Sequence, residues 1–185
     1  MMGVVDDVEN KTTGKYPGLK PRDAIAKGTQ NMNESAKRRI WAKATTVGGY
    51  DPSRIRKDAA GAWIVYDCFM KEGDSTFAWE IEHIVPRELV DGAWDYDDEM
   101  NLRPAHRINA AKRDGRFPDY IAGVVANGAK NKLKESVRTI TRADNDLVAA
   151  ALAEVRRRDA VKAMEFERAE QNRPWVAKVL GKIFQ

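Results

Sequence analysis

The chain is expected to be an α+β protein, and three stretches carry that expectation. Residues 79–113, WEIEHIVPRELVDGAWDYDDEMNLRPAHRINAAKR, open as an apolar, β-prone segment that Pro86 stops. An acidic loop follows, and Asn-Leu-Arg-Pro then leads into a short helix from about His106 to Arg113, giving a β-loop-β-α order. Asn33 and Glu34 are the residue types that open a helix, here running to about Thr45. Asp144 plays the same part for a long helix to about Gln171, with Leu147, Ala151, Leu152 and Val155 as an early apolar stripe.

Taken in order, residues 1–32 mix Gly, Pro, Thr, Asn, Lys and Asp without an apolar period and predict an irregular arm. Lys11, Lys15, Lys20, Arg22 and Lys27 read as a solvated tail more than as phosphate contacts. In the first helix Ile40 and Trp41 should dock on the core while Lys37, Arg38, Arg39 and Lys43 face water. Gly48-Gly49 ends it. A strand from near Ala62 to Phe69, a hairpin loop at Lys71 to Ser75 and a returning strand from Thr76 to Val85 follow, with Trp63 and Trp79 as core residues. An ideal strand sends Glu82 and His83 to opposite faces. For both to reach one site, a twist or bulge is needed at the strand end, where Pro86 stands.

Asp95, Asp97, Asp98 and Glu99 lack the ordered ligand pattern of a calcium loop and read as a solvated acidic loop. Arg156-Arg157-Arg158-Asp159 interrupts the long helix's stripe, which argues against a continuous coiled coil. After Pro174, residues Trp175, Val176, Val179, Leu180, Ile183 and Phe184 form an amphipathic tail suited to docking on the core or on a partner, rather than to a membrane. Residues 112–142 are markedly basic and suit tracking along DNA, in contacts that weaken with salt.

Composition narrows the classes. With 185 residues, 43% of them hydrophobic, the chain can bury a core and fits one domain with extensions. A net charge of +4 and a pI near 9.1 are compatible with nucleic acid without demanding it. Cys68 is the single cysteine, which excludes an internal disulfide and fits a reducing compartment. No apolar run approaches the roughly 20 residues of a membrane span, and the acidic N-terminus is unlike a secretory signal. A cytoplasmic location is expected.

Both histidines, His83 and His106, fall inside residues 79–113. Helical spacing puts His106, Asn109 and Lys112 on one face. Together with Glu82 this is a set of carboxylate, imidazole, carboxamide and cation, the types that suit a hard divalent metal beside a phosphate. Glu82-His83 closing a strand, Asn101 in the returning segment and Asn109 or His106 on the helix make the stretch resemble the HNH, or ββα-metal, endonucleases, in particular the small phage and bacterial type. The run Arg56 to Ile64 ahead of Trp79 to His83 adds to the likeness, which covers roughly Gly49 to Asp114, about a third of the chain. Glu82 stands where members more often carry Asp, and the two Cys pairs of many members' structural zinc site are absent.

The resemblance implies a ββα-metal core at 33–116, preceded by a β-hairpin and the N-terminal helix and followed by a mainly helical extension at 117–185. It implies a metal-dependent endonuclease acting on DNA. Neutral His83 would take a proton from the attacking water, and Asn101 would brace the loop that orients it. Glu82 and Asn109, with His106 as the other candidate, would hold one divalent ion, most often Mg²⁺, with Mn²⁺ or Ni²⁺ as substitutes. Arg103, Arg107, Lys112 and Arg113 would neutralise flanking phosphates, and the products would carry 5′-phosphate and 3′-hydroxyl ends. The competing class is a non-catalytic nucleic-acid-binding or phage assembly protein that keeps the motif's shape, and an RNase is a third option. The C-terminal helices make a homo-oligomer or a protein partner an open expectation.

Overall fold

A computed structural model describes residues 32–71, 76–90, 92, 94–141 and 145–173. The arm before Met32, the tail after Arg173, most of the loop expected at Lys71 to Ser75, and Asp144 and Arg142 lie outside those residues. The described chain is α+β. In order it forms α1 (Glu34–Trp41), β1 (Ile55–Lys57), β2 (Trp63–Val65), β3 (Trp79–His83), β4 (Leu102–His106), α2 (Arg107–Arg113), β5 (Asp119–Asn127), β6 (Lys130–Thr139) and α3 (Asp146–Asn172). The strands pair as three antiparallel two-stranded sheets, β1-β2, β3-β4 and β5-β6.

The N-terminal helix starts at its expected cap but ends at Trp41, short of the expected Thr45 and well ahead of Gly48-Gly49. Asn33 Oδ1 accepts from Ala36 N at 2.8 Å, and Glu34 sits in the first turn. Ile40 and Trp41 are buried and pack with Ile64, Tyr66, Trp79, Ile81 and Leu102. Trp79 is fully buried, with Trp41 4.9 Å and Phe69 4.7 Å away between ring centroids. Removing such a ring from water is worth on the order of 3 kcal/mol. Trp79 is therefore core, and so is Trp63 at 5% exposure.

Strand pairing corrects the expected hairpin. The segment from Ala62 does not fold back on Thr76 to Val85. Trp63–Val65 pairs with Ile55–Lys57, and Tyr66–Cys68 ends the strand as a 3-10 turn. Asp58 makes the tight β1-β2 connection: its Oδ1 accepts from Ala60 N at 3.0 Å and Ala62 N at 2.8 Å, while Gly61 takes φ +89°. β3 pairs with β4 instead, from Trp79↔His106 to His83↔Leu102, without a register shift.

The expected mainly helical extension is corrected too. Residues 119–139 form a long β-hairpin whose two-residue loop is Gly128-Ala129, with Gly128 at φ +59° in the first loop position. β5 lies against α2 at a close approach: a Cβ on Gly123 would meet Ile108 Cγ2 at 2.9 Å and Lys112 Cγ at 3.0 Å. Among the described residues of this extension α3 alone is an α-helix, capped by Asn145, whose side chain accepts from Val148 N at 3.0 Å. Its first turns place Leu147, Val148, Ala151 and Leu152 against Ile84 and Val85, just past the end of β3. Among the described residues no helix is long and apolar enough to cross a membrane.

Candidate active site

β3 ends in a cavity of about 270 Å³ lined by Glu82, His83, Arg87, Tyr96 and Arg113, with Pro86, Glu88, Asp114 and Gly115 completing its wall. Glu82 and His83 both reach it without a bulge, because the cavity wraps the strand's end, where Pro86 caps a 3-10 turn. His83 is held on two sides, by Tyr96 and Asp97, and Arg87 backs the Tyr96 ring. The imidazole stacks on Tyr96 with centroids 3.9 Å apart and planes 12° from parallel, and the Arg87 guanidinium lies 4.1 Å from the Tyr96 centroid. His83 Nε2 is 2.9 Å from Asp97 Oδ1. An ionised carboxylate only accepts, so Nε2 carries the proton and Nδ1 keeps the lone pair in the neutral ring. Nδ1 is buried and has no hydrogen-bond partner among the described residues. Leaving such an acceptor unpaired costs about 1–3 kcal/mol, which an incoming donor would recover.

Burial pushes the His83 pKa below its ordinary value, and the bond to Asp97 only partly opposes this. His106 is lowered as well, again mainly by burial. A folded pKa below the unfolded one means stability that is fully present above about pH 6.5 and is lost as pH falls through the folded values. In an imidazole NMR titration both histidines are expected to show midpoints below that of a free histidine, with His83 carrying its neutral proton on Nε2. A His83 midpoint at or above the free value would refute this arrangement.

Asn101 is fully buried just ahead of β4 and ties the cavity's two sides together. Its Oδ1 accepts from Val85 N at 2.7 Å, and its Nδ2 donates to Val85 O at 3.1 Å and Tyr96 O at 3.0 Å. One side chain thus fixes both the segment leaving His83 and the backbone of the residue on which His83 stacks. Asp97 and Tyr96, which fix the imidazole, fall in the loop expected to be merely solvated. Asp97 is indeed exposed, but its carboxylate is turned onto His83.

No protein-family model, characterised protein or solved structure matches the chain.

The residues expected to hold a metal are not brought together. Asn109 is buried on the far face of α2, its carboxamide fully used: Nδ2 donates to Asp58 Oδ2 at 2.8 Å and Val124 O at 3.0 Å, and Oδ1 accepts from Gly123 N and Val124 N, each at 2.8 Å. His106 caps α2. Its Nδ1 accepts from Ile108 N at 3.2 Å and its Nε2 donates to Thr76 O at 2.9 Å. Neither ring nitrogen is left for a ligand. Glu82 does line the cavity, but its Oε1 accepts from Arg103 Nε at 2.7 Å and lies 3.3 Å from Arg113 Nη1. Burial alone would raise this carboxyl, yet the two guanidiniums hold it below the usual carboxylate range. A divalent cation at Glu82 would enter beside two fixed positive charges, with neither Asn109 nor His106 to complete its shell. The expected set of Glu82, Asn109 and His106 is therefore not assembled around one ion.

Each residue expected to contact phosphate has a partner within the protein. Arg113 is 2% exposed and Arg103 is paired with Glu82. Arg107 donates to Lys71 O at 3.0 Å, and Lys112 pairs with Glu135. At the cavity's mouth the exposed guanidinium is that of Arg87, stacked on Tyr96.

Proposed function

We propose that the chain is a phosphodiester hydrolase acting on DNA, built on a ββα arrangement of β3, β4 and α2, with His83 as the general base. The observation that carries this reading is the buried, unpartnered Nδ1 of a neutral imidazole whose tautomer and plane are fixed by Asp97 and Tyr96. A base needs a lone pair at working pH and a fixed direction in which to use it. The lowered pKa supplies the first and the Tyr96 stack the second. A water donating to Nδ1 would lose its proton there as its oxygen bonds to phosphorus and the P–O3′ bond breaks, the leaving 3′-oxygen taking a proton from solvent, and Arg87 at the cavity mouth would receive a phosphate oxygen. No step in this scheme requires Asn109 or His106, whose groups are committed to the fold.

DNA binding without hydrolysis is the second reading. It is favoured by β6, whose Lys130, Lys132, Lys134 and Arg138 are exposed along one strand. Supercoiled-plasmid cleavage separates the two. Nicking by the wild-type chain that is lost in a folded His83→Ala variant supports the hydrolase. Salt-sensitive DNA retention with no cleavage of DNA, on duplex or single strands, supports the binding role. Cleavage confined to RNA would move the substrate class.

A further inference from the structure

Arg113, the last residue of α2, points away from solvent into a set of oxygen acceptors, with the Tyr120 ring 5.5 Å from its guanidinium. Its Nη1 donates to His83 O at 2.6 Å and lies 3.3 Å from Glu82 Oε1. Its Nη2 donates to Ile84 O and its Nε donates to Arg116 O at 3.2 Å. One carboxylate and three main-chain carbonyls are the donors that a hard cation takes. Here they surround a guanidinium whose side chain is 3% exposed and which also lines the cavity beside His83. A second guanidinium, Arg103, sits on the same carboxylate, so the charge buried under the cavity is positive.

We propose that Arg113 stands in the place of a divalent ion beside Glu82, so that the His83 cavity takes a phosphodiester oxyanion with a built-in cation and without a metal. The inference rests on the reading of this cavity as a phosphodiester site. Arg113 acts here as a positioning residue. It fixes the carbonyls on either side of the His83-Ile84 peptide and supplies the charge that a phosphate meets. The two arginines neutralise Glu82 and add one positive charge between them, whereas a metal ligand would keep its negative charge for the ion. The phase of α2 makes this arrangement specific. Asn109 and Lys112 meet β5, and Arg113, one residue further on, is turned by about 100° from Lys112 toward β3.

Two measurements decide it. Mn²⁺ is titrated into the Asp97→Asn chain, which lacks the exposed carboxylate beside His83, while the imidazole signals of His83 and His106 are followed. His106 is paired with Trp79 and stands four residues along the ladder from His83, so it serves as the distant reference. Unchanged His83 linewidths at stoichiometric Mn²⁺ are expected. Saturable broadening that is stronger at His83 than at His106 would place an ion in the cavity and overturn the proposal. Plasmid cleavage is then compared in Mg²⁺ and in excess EDTA. Equal, His83-dependent rates support the built-in cation, and cleavage seen only with Mg²⁺ overturns it. If the chain cleaves nothing in either buffer, the hydrolase reading fails, and the Mn²⁺ titration still decides whether Glu82 can hold an ion.

Discussion

His83→Ala is expected to slow plasmid nicking by about 10²–10⁴-fold, the range associated with a lost general base. The substitution removes a buried acceptor of a cavity-lining residue that has no partner among the described residues, and no other neutral imidazole is near to replace it: His106 spends both ring nitrogens on Ile108 and Thr76. The fold should tolerate the change. Asp97 is exposed and rehydrates when its partner goes, and the main loss is the stack on Tyr96, worth about 1 kcal/mol. A loss of that size lowers Tm by about 2–4 °C in a chain of this length. Rate and melting temperature are therefore measured on the same preparation. A full rate in the variant, or a rate lost only together with the fold, would remove His83 from the role of base.

Asp58→Ala is expected to do the reverse, collapsing stability through a residue that touches no part of the cavity. Asp58 is 2% exposed, and its two oxygens accept four hydrogen bonds, from Ala60 N, Ala62 N, His106 N and Asn109 Nδ2. Those donors belong to the β1-β2 turn, the end of β4 and the middle of α2, so one carboxylate joins three elements. Alanine leaves all four buried and unpaired. Each unsatisfied group carries a penalty of about 1–3 kcal/mol, and partial relaxation brings the expected total to about 4 kcal/mol. Thermal melting should show a fall of about 8–16 °C. A shift of only a degree or two would mean that water or backbone movement satisfies those donors. In that case Asp58 does not join the elements.

The two expectations locate what a sequence can and cannot convey here. β3, Asn101 and α2 are legible because each carries a local signal: an apolar run stopped by Pro86, an Asn before a strand, and a short helical stretch. Asn101 was expected to brace the loop beside the histidine, and its three hydrogen bonds join Val85 to Tyr96. The partners of Glu82 are not legible. Helical spacing does put Asn109 and Lys112 on one face, but that face meets β5. The sequence contains no term for which neighbour a helix face will meet, and a single residue step turns a side chain by about 100°. His106 drops out of that face because it caps the helix from outside.

Elsewhere the signals were present but weak or outweighed. β1 and β2 are three residues each, too short for periodicity to register, and only the Asp58-to-Gly61 spacing marks their turn. Gly128 after the apolar run Ile121 to Ala126 marks the β5-β6 turn, but β6 is mostly polar and in residues 112–142 the basic count overshadows the signal.

α3 has a consequence of its own. At 27 residues it is about 40 Å long, yet its buried residues, Leu147, Val148, Ala151 and Leu152, all fall in its first two turns. Beyond them the helix is held mostly by neighbours on its own surface, such as Glu154 with Arg157 and Arg158, and Val161, Met164 and Phe166 stay exposed. One continuous hydrogen-bond ladder therefore spans two regimes of protection. Amides near Ala151 should exchange with deuterium only when the whole domain opens. Those near Phe166 should exchange through fraying from the far end, orders of magnitude sooner, so that the helix records along its own length where the cooperative unit stops.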